Sequence, residues 1–394
     1  MFKFINGPTN YAILKGKINE IEKNIFLFMD THNKIDAQTK CDSFDSVEIS
    51  HYLYNKIKSA QKILDFFMVD CQQTATLLRE EIRLSELDEP ITNKKDIYIK
   101  EVTDLFKSEF VIDKINEKDL VRYSKSNPNV RLHYLDIRDN LGLFEVSNIA
   151  KYKMEKTYNL LKNDKSNDEN VIDEYKKKII NYLNQIKNRL DEFKDNINYV
   201  IQNNNEKYDK ITQKQKYYLN KIINVYNDDE LKNNIIEFID NNWNKFEKDF
   251  NLTYSNINYC LESWNMIDTD EYVHVNCQNM DMLIDFIYEI ITDFYSLFTD
   301  IFLLRRILDK NYINDCICYT GTQHSLNYII FLVKYYDFEI IHINKIENNL
   351  GEIIKKIKKS NNVLEIYKLF GLKKIIQCIK MIHVSSMFGG NRLK

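Results

Sequence analysis

Two short stretches place a histidine beside small and acidic residues. Asp30-Thr31-His32 closes the apolar run Ile25–Met29, and Gly321-Thr322-Gln323-His324 closes the β-prone run Cys316–Tyr319. An imidazole changes charge close to neutral pH, so it can take a proton from water, return one to a leaving group, or ligate a metal. A neighbouring carboxylate can orient it or complete a ligand set. A lone histidine at a loop-to-helix junction is more often a cap or a surface group. Two of them, each just past the end of a predicted strand, make a shared site worth pursuing.

The elements needed to position them are legible around each motif. After Gly321, residues Leu326, Ile329, Ile330 and Val333 recur at helical spacing over Ser325–Tyr336, and a second β-rich run covers Phe338–Ile343. Strand, glycine turn, helix and strand form a parallel crossover unit, in which ligands bind beyond the carboxyl ends of the strands. At the other end of the chain a helix is predicted after Asp45, with Glu48 three residues on as in a capping box and Ile49, Leu53, Ile57 and Ala60 as its buried face. Parallel neighbours in one sheet would bring His32 and His324 together.

With these motifs in place the chain resembles the TraB/TIKI/erythromycin-esterase-like superfamily, which carries one Gly-x-x-His motif early and one late; "GTQH" matches it and "MDTH" matches it with Met29 in place of the glycine. Within it the sequence is most similar in style to proteins of large amoeba-infecting DNA viruses, through "LDFFMVD" (64–70), "NPNVRLHYLDIRD" (127–139) and "LFTDIFLLRRIL" (297–308). The resemblance spans roughly residues 5–150 and 280–345. It implies an α/β fold and a metal-assisted or general-base hydrolase acting on a peptide or small ester. His32, His324, Asp30 and Asp136 would be the catalytic groups, and His32, His324, Asp70 and Asp300 would be the ligands of a divalent metal of unspecified identity. Two departures point to the alternative, a non-catalytic virion or host-interaction protein that retains the fold. Met29 replaces a residue that permits close backbone approach. Val69 and then Asp70 stand where the pattern has a glutamate.

Composition narrows the class without selecting a chemistry. The 394 residues are 44% hydrophobic, with 26 Tyr and 22 Phe, enough for a substantial core. Against 55 basic side chains stand 58 acidic ones, a formal charge of −3 that calls for neither nucleic acid nor an anionic membrane surface. Seven cysteines, odd in number and irregularly spaced, predict no disulfide framework, and Cys316 and Cys318 read as buried thiols. The opening residues have no secretory pattern, and Asp285, Glu289, Asp293 and Asp300 interrupt the most hydrophobic helix, so an intracellular location is expected, in the host cytoplasm or packaged in a virion.

The expected fold is α/β: a mixed, largely parallel central sheet flanked by helices, with a long all-helical insertion. Residues 1–150 would supply the first half, with an opening hairpin around Gly16 and strands at Ile25–Met29, Leu64–Val69 and Val130–Ile137. Residues 151–275 would form the insertion, a surface for protein partners, and 276–394 the second half with C-terminal helices at "VLEIYKLF" and "LKKIIQCIKMIHV". In the insertion Ile172, Tyr175, Ile179, Tyr182 and Ile186 form a three-four stripe, which Leu190, Phe193, Ile197 and Val200 resume after a one-residue shift.

Overall fold

The computed structural model describes residues 3–31, 38–68, 97–110, 121–134, 143–164, 168–201, 220, 226–263, 270–346, 348–359 and 376–381. The chain divides into two compact units, residues 1–136 with 302–394 and residues 137–301.

The first unit is built on a seven-stranded mixed sheet. Its strands are β2 (Asn10–Ile18), β3 (Ile21–Asp30), β5 (Leu64–Met68), β6 (Val121–Tyr123), β7 (Val130–Tyr134), β8 (Asp315–Gly321) and β9 (Glu339–Ile343), in the order β6-β7-β5-β8-β3-β2-β9. The four central strands β7, β5, β8 and β3 are mutually parallel, and antiparallel pairs close both sides. The crossover predicted after Gly321 exists: α7 (Thr322–Tyr336) joins β8 to β9, which run in the same direction. The β2–β3 hairpin lies between them, so the crossover spans two strands.

The hairpin turns at Asn19 and Glu20, both with positive φ, three residues beyond Gly16. Gly16 serves a different purpose. It lies within β2, where a Cβ would be 2.6 Å from Cε2 of Phe338, so the missing side chain is what lets that ring lie on the strand.

Alternation gives the sheet two unlike faces. Phe26, Phe28, Phe66, Met68, Leu132, Ile317 and Tyr319 share one, packed against Ile49, Leu53 and Ile57 of α1 (Ile49–Ser59) and Tyr98, Val102, Phe106 and Phe110 of α2 (Ile97–Phe110). The other face carries Leu27, Met29, Phe67, Cys316 and Cys318 beneath α7. The capping box at Asp45 is not formed: residues 46–48 pair with residues 4–6 as strand β4 (Ser46–Glu48), and Glu48 becomes an N-cap without a side-chain bond. β4 joins β1 (Phe4–Asn6) and β10 (Cys378–Lys380) in a second sheet of order β10-β1-β4. The segment around Gln377, expected to be helical, is therefore extended at β10, because β1 offers it a partner.

The second unit is helical. It holds α3 (Leu143–Asn163), α4 (Glu169–Ile201), α5 (Asp229–Ser263) and the greater part of α6 (Asp270–Asp309), which continues into the first unit. On α4 the buried positions are Ile179, Leu183, Ile186, Leu190, Phe193 and Ile197, an unbroken four-three alternation. Leu183, not the half-buried Tyr182, continues the seam, which removes the expected shift. Lys194 bridges α4 to both oxygens of Glu247 at 2.8 Å, and Tyr254 donates to Asn184 at 2.6 Å. The helix expected over Lys207–Tyr226 falls almost wholly outside the described residues.

Candidate functional site at the carboxyl ends of β3 and β8

β3 and β8 are direct parallel neighbours, and their register sets Asp30 opposite Gly321. The strands that precede the two motifs thus end side by side. His324 lies in the first turn of α7 and is buried. His32, Asp70 and Asp136 lie outside the described residues. Asp300 is a buried residue of α6 within the helical unit.

Asp30 is 1% exposed and its carboxylate is heavily engaged. Oδ2 accepts the Tyr319 hydroxyl at 2.5 Å, while Oδ1 accepts the Thr31 backbone N–H at 2.7 Å and Gln377 Nε2 at 3.4 Å. Thr322 donates to the Asp30 carbonyl at 2.8 Å, and Thr9 donates through both its N–H and its hydroxyl to the Met29 carbonyl. The Asp30 carboxylate shares the Tyr319 face of the sheet, whereas α7 covers the opposite face. These partners hold the Asp30 carboxylate against the backbone of Thr31 and the side chains of Tyr319 and Gln377. Met29 points to the α7 face and is fully buried there.

Gln377 is the unexpected member. Its Oε1 accepts the Thr39 N–H at 3.2 Å, its own N–H donates to Thr39 Oγ1 at 2.7 Å, and its carbonyl accepts the Gly7 N–H at 3.0 Å. Gly7 has φ 114°, and a Cβ there would lie 2.9 Å from Ile49 Cγ2, so this crossing of segments admits only glycine. Cys41 and Cys378 form a disulfide beside it, a single cross-link where the cysteine spacing predicted no disulfide framework. Cys316 and Cys318 are free and buried, and burial raises the Cys316 thiol well above its ordinary range.

A second buried polar group lies near the amino ends of the parallel strands. Asp65 of β5 accepts Arg131 through two bonds of 2.7 Å and His133 Nε2 through a third of 2.7 Å. Arg306 Nε donates to His133 Nδ1 at 3.3 Å. A guanidinium can only donate, so Nδ1 must accept, and the ring is neutral with its proton on Nε2 facing Asp65. Burial lowers the pKa of His133, outweighing the raising effect of Asp65, and Arg306 and Arg131 lower it further. Phe67 stacks on the ring at 4.5 Å. Lys23, also buried, donates to the carbonyls of Lys310 and Ile313; desolvation brings its pKa down to about 8, against the opposing pull of Cys316 and Asp65. The only sequence signal for this network was Asp65 itself, an acid inside the apolar run "LDFFM" beside a strand carrying Arg131 and His133.

Among the described residues no three His, Cys, Asp or Glu side chains come together as a metal site. The described part of the edge therefore does not fit a divalent cation by itself. Nor is any helix among the described residues long and apolar enough to cross a membrane.

The architecture is that of a mixed α/β protein whose seven-stranded sheet is flanked by helices. The chain belongs to the family of unknown function DUF5847, whose model matches residues 3–389. Its relatives include three uncharacterized proteins of Acanthamoeba polyphaga mimivirus. One is 30% identical over 93% of this chain and 94% of its own length. A second is 29% identical over 96% and 95%, and a third 28% identical over 93% and 94%. No solved structure matches the chain. The resemblance to TraB, TIKI and erythromycin-esterase proteins rests on the motifs alone.

Proposed function

We propose that this viral-family protein is a histidine-assisted hydrolase of ester or amide bonds, with His324 and His32 as the proton-transferring groups. Asp30 acts as a positioning residue. The observation that supports the reading is the β3–β8 register, which sets Asp30, two residues before His32, opposite Gly321, three residues before His324, at the carboxyl ends of parallel strands. In this scheme one imidazole takes a proton from water as it attacks the carbonyl, and the other returns a proton to the leaving oxygen or nitrogen. Asp30, held by Tyr319 and Gln377, keeps the backbone entering His32 in a single geometry.

The second reading, a fold-retaining protein without catalysis, is favoured by one specific feature. Met29, where the motif has glycine, is buried at 0% exposure on the face under α7.

The test is turnover of activated esters and short peptides by the wild type, His324→Ala, His32→Ala and the double variant, with metal content measured on each. Proton transfer by a placed side chain contributes about 10²–10⁴-fold, so each single variant should lose activity on that scale. Absence of turnover above buffer in the wild type, or full activity in the double variant, overturns the hydrolase. Near-stoichiometric metal that disappears in the double variant would replace the metal-free scheme with a metal-dependent one.

A further inference from the structure

We infer that the Cys41–Cys378 disulfide is a redox latch over the Asp30 edge: oxidised, it pins Gln377 between Asp30 and Thr39; reduced, it releases β10 and uncovers that side of Asp30. The functional consequence rests on the hydrolase reading. The latch itself does not.

The bond joins positions 337 residues apart in sequence. Cys41 belongs to the segment running from Thr39 into β4, and Cys378 is the first residue of β10. Three observations make the pairing consequential. Gln377, adjacent to Cys378, is fully buried, and its side chain contacts both Asp30 and Thr39. Cys41 is itself anchored, its N–H donating to Asn6 Oδ1 at 2.8 Å, and Asn6 in turn donates to Glu48. β10 has only three residues and a single strand neighbour, β1, because it lies at the edge of its sheet.

A three-residue edge strand is marginal by itself. Beyond its ladder to β1, the backbone bonds that hold it come from Gly7 to the Gln377 carbonyl and from Met381 to the Lys3 carbonyl. The covalent link keeps the strand near its partner whenever those bonds open, so reclosing is fast. Without it each opening separates chain segments from opposite ends of the sequence.

Reduction is a two-electron exchange with a dithiol. The S–S bond breaks, both electrons and both hydrogens come from the dithiol, Cys41 and Cys378 become thiols, and the dithiol closes to its own disulfide. Gln377 is then held by noncovalent bonds such as those to Thr39 and Gly7, and as β10 opens Asp30 Oδ1 keeps the Thr31 N–H while losing the amide.

The experiment is hydrogen–deuterium exchange by mass spectrometry on the full chain in three states: equilibrated with oxidised glutathione, reduced with dithiothreitol, and as Cys41→Ser/Cys378→Ser. The Cys41–Cys378 link is confirmed in the first state by peptide mapping. Exchange over 376–381 and 3–7 should be about tenfold faster or more in both unlinked states, with β5 and β7 unchanged. Failure of the link to form under oxidising conditions overturns the latch. So does a link whose loss leaves exchange over 376–381 unaltered. Loss of protection throughout the sheet would also overturn it, by making the bond a general structural support. None of these readouts depends on turnover, so the latch can fail while the hydrolase stands, and the reverse.

Discussion

Asp65→Asn is the most discriminating perturbation of the sheet. Asp65 Oδ1 receives two donors, Arg131 Nε and His133 Nε2, and Oδ2 receives a third, Arg131 Nη2, all at 2.7 Å. Asparagine keeps the shape but has one oxygen. Placed at the Oδ1 position, that oxygen leaves the amide NH2 facing the Arg131 Nη2 donor; flipped, it sets the NH2 against two donors. Either way the guanidinium loses its counter-charge. Breaking a buried ion pair from one side costs about 3–5 kcal/mol. The Arg131 side chain is 11% exposed, and the water that this admits argues for the lower end, about 3 kcal/mol. With a urea slope of about 1–3 kcal/mol/M, the midpoint should fall by about 1–3 M. Both tryptophans, Trp243 and Trp264, belong to residues 137–301, so fluorescence would follow the helical unit. Exchange protection of β5 and β7 peptides across a urea series is the appropriate assay. A shift below about 0.3 M, equivalent to less than about 1 kcal/mol, would refute the claim that this carboxylate neutralises a buried network. Partial recovery in Asp65→Asn/Arg131→Met would identify the stranded guanidinium as the source of the loss.

Three further outcomes are expected. His133 has a folded pKa below its unfolded value near 6.5, so the unfolded chain binds the proton first; its contribution to sheet stability is complete above that value and is lost as pH falls through the folded pKa, at up to about 1.4 kcal/mol per pH unit, and His133→Gln should flatten that acid slope in urea titrations. Lys23 has a folded pKa near 8 against 10.5 unfolded, so the stability of the wild type relative to Lys23→Met should rise from pH 8 towards 10; a pH-independent difference would show that the ammonium is not desolvated. Gly16→Ala drives a methyl into the Phe338 ring and should destabilise the sheet by about 1–3 kcal/mol, with Phe338→Leu restoring part of the loss in a double-variant cycle measured by thermal denaturation.

What could be read from the residues alone was whatever a short window encodes. The apolar runs and their terminating residues defined β3, β8 and β5. Helical spacing located α7 and the long helices of the second unit, and the strand-helix-strand pattern gave the crossover from β8 to β9, whereas the pairing of β3 with β8 is decided by the sheet. The tertiary structure decided what depends on partners distant in sequence. A three-residue strand at Cys378–Lys380 has too few positions to show a period, so its state is set by β1, and with it come Gln377 and the disulfide to Cys41. Gly16 reads as a turn residue until Phe338 arrives from the far end of the chain. Tyr182 and Leu183 are equally plausible seam residues in sequence, and only packing makes Leu183 the buried one. Asp30 illustrates the division most clearly. Its place at the end of a strand is local information, but its role depends on which face its side chain takes and on whether donors already occupy its oxygens. Tyr319 and Gln377 supply those donors across 289 and 347 residues of intervening sequence, a separation that no local pattern can register.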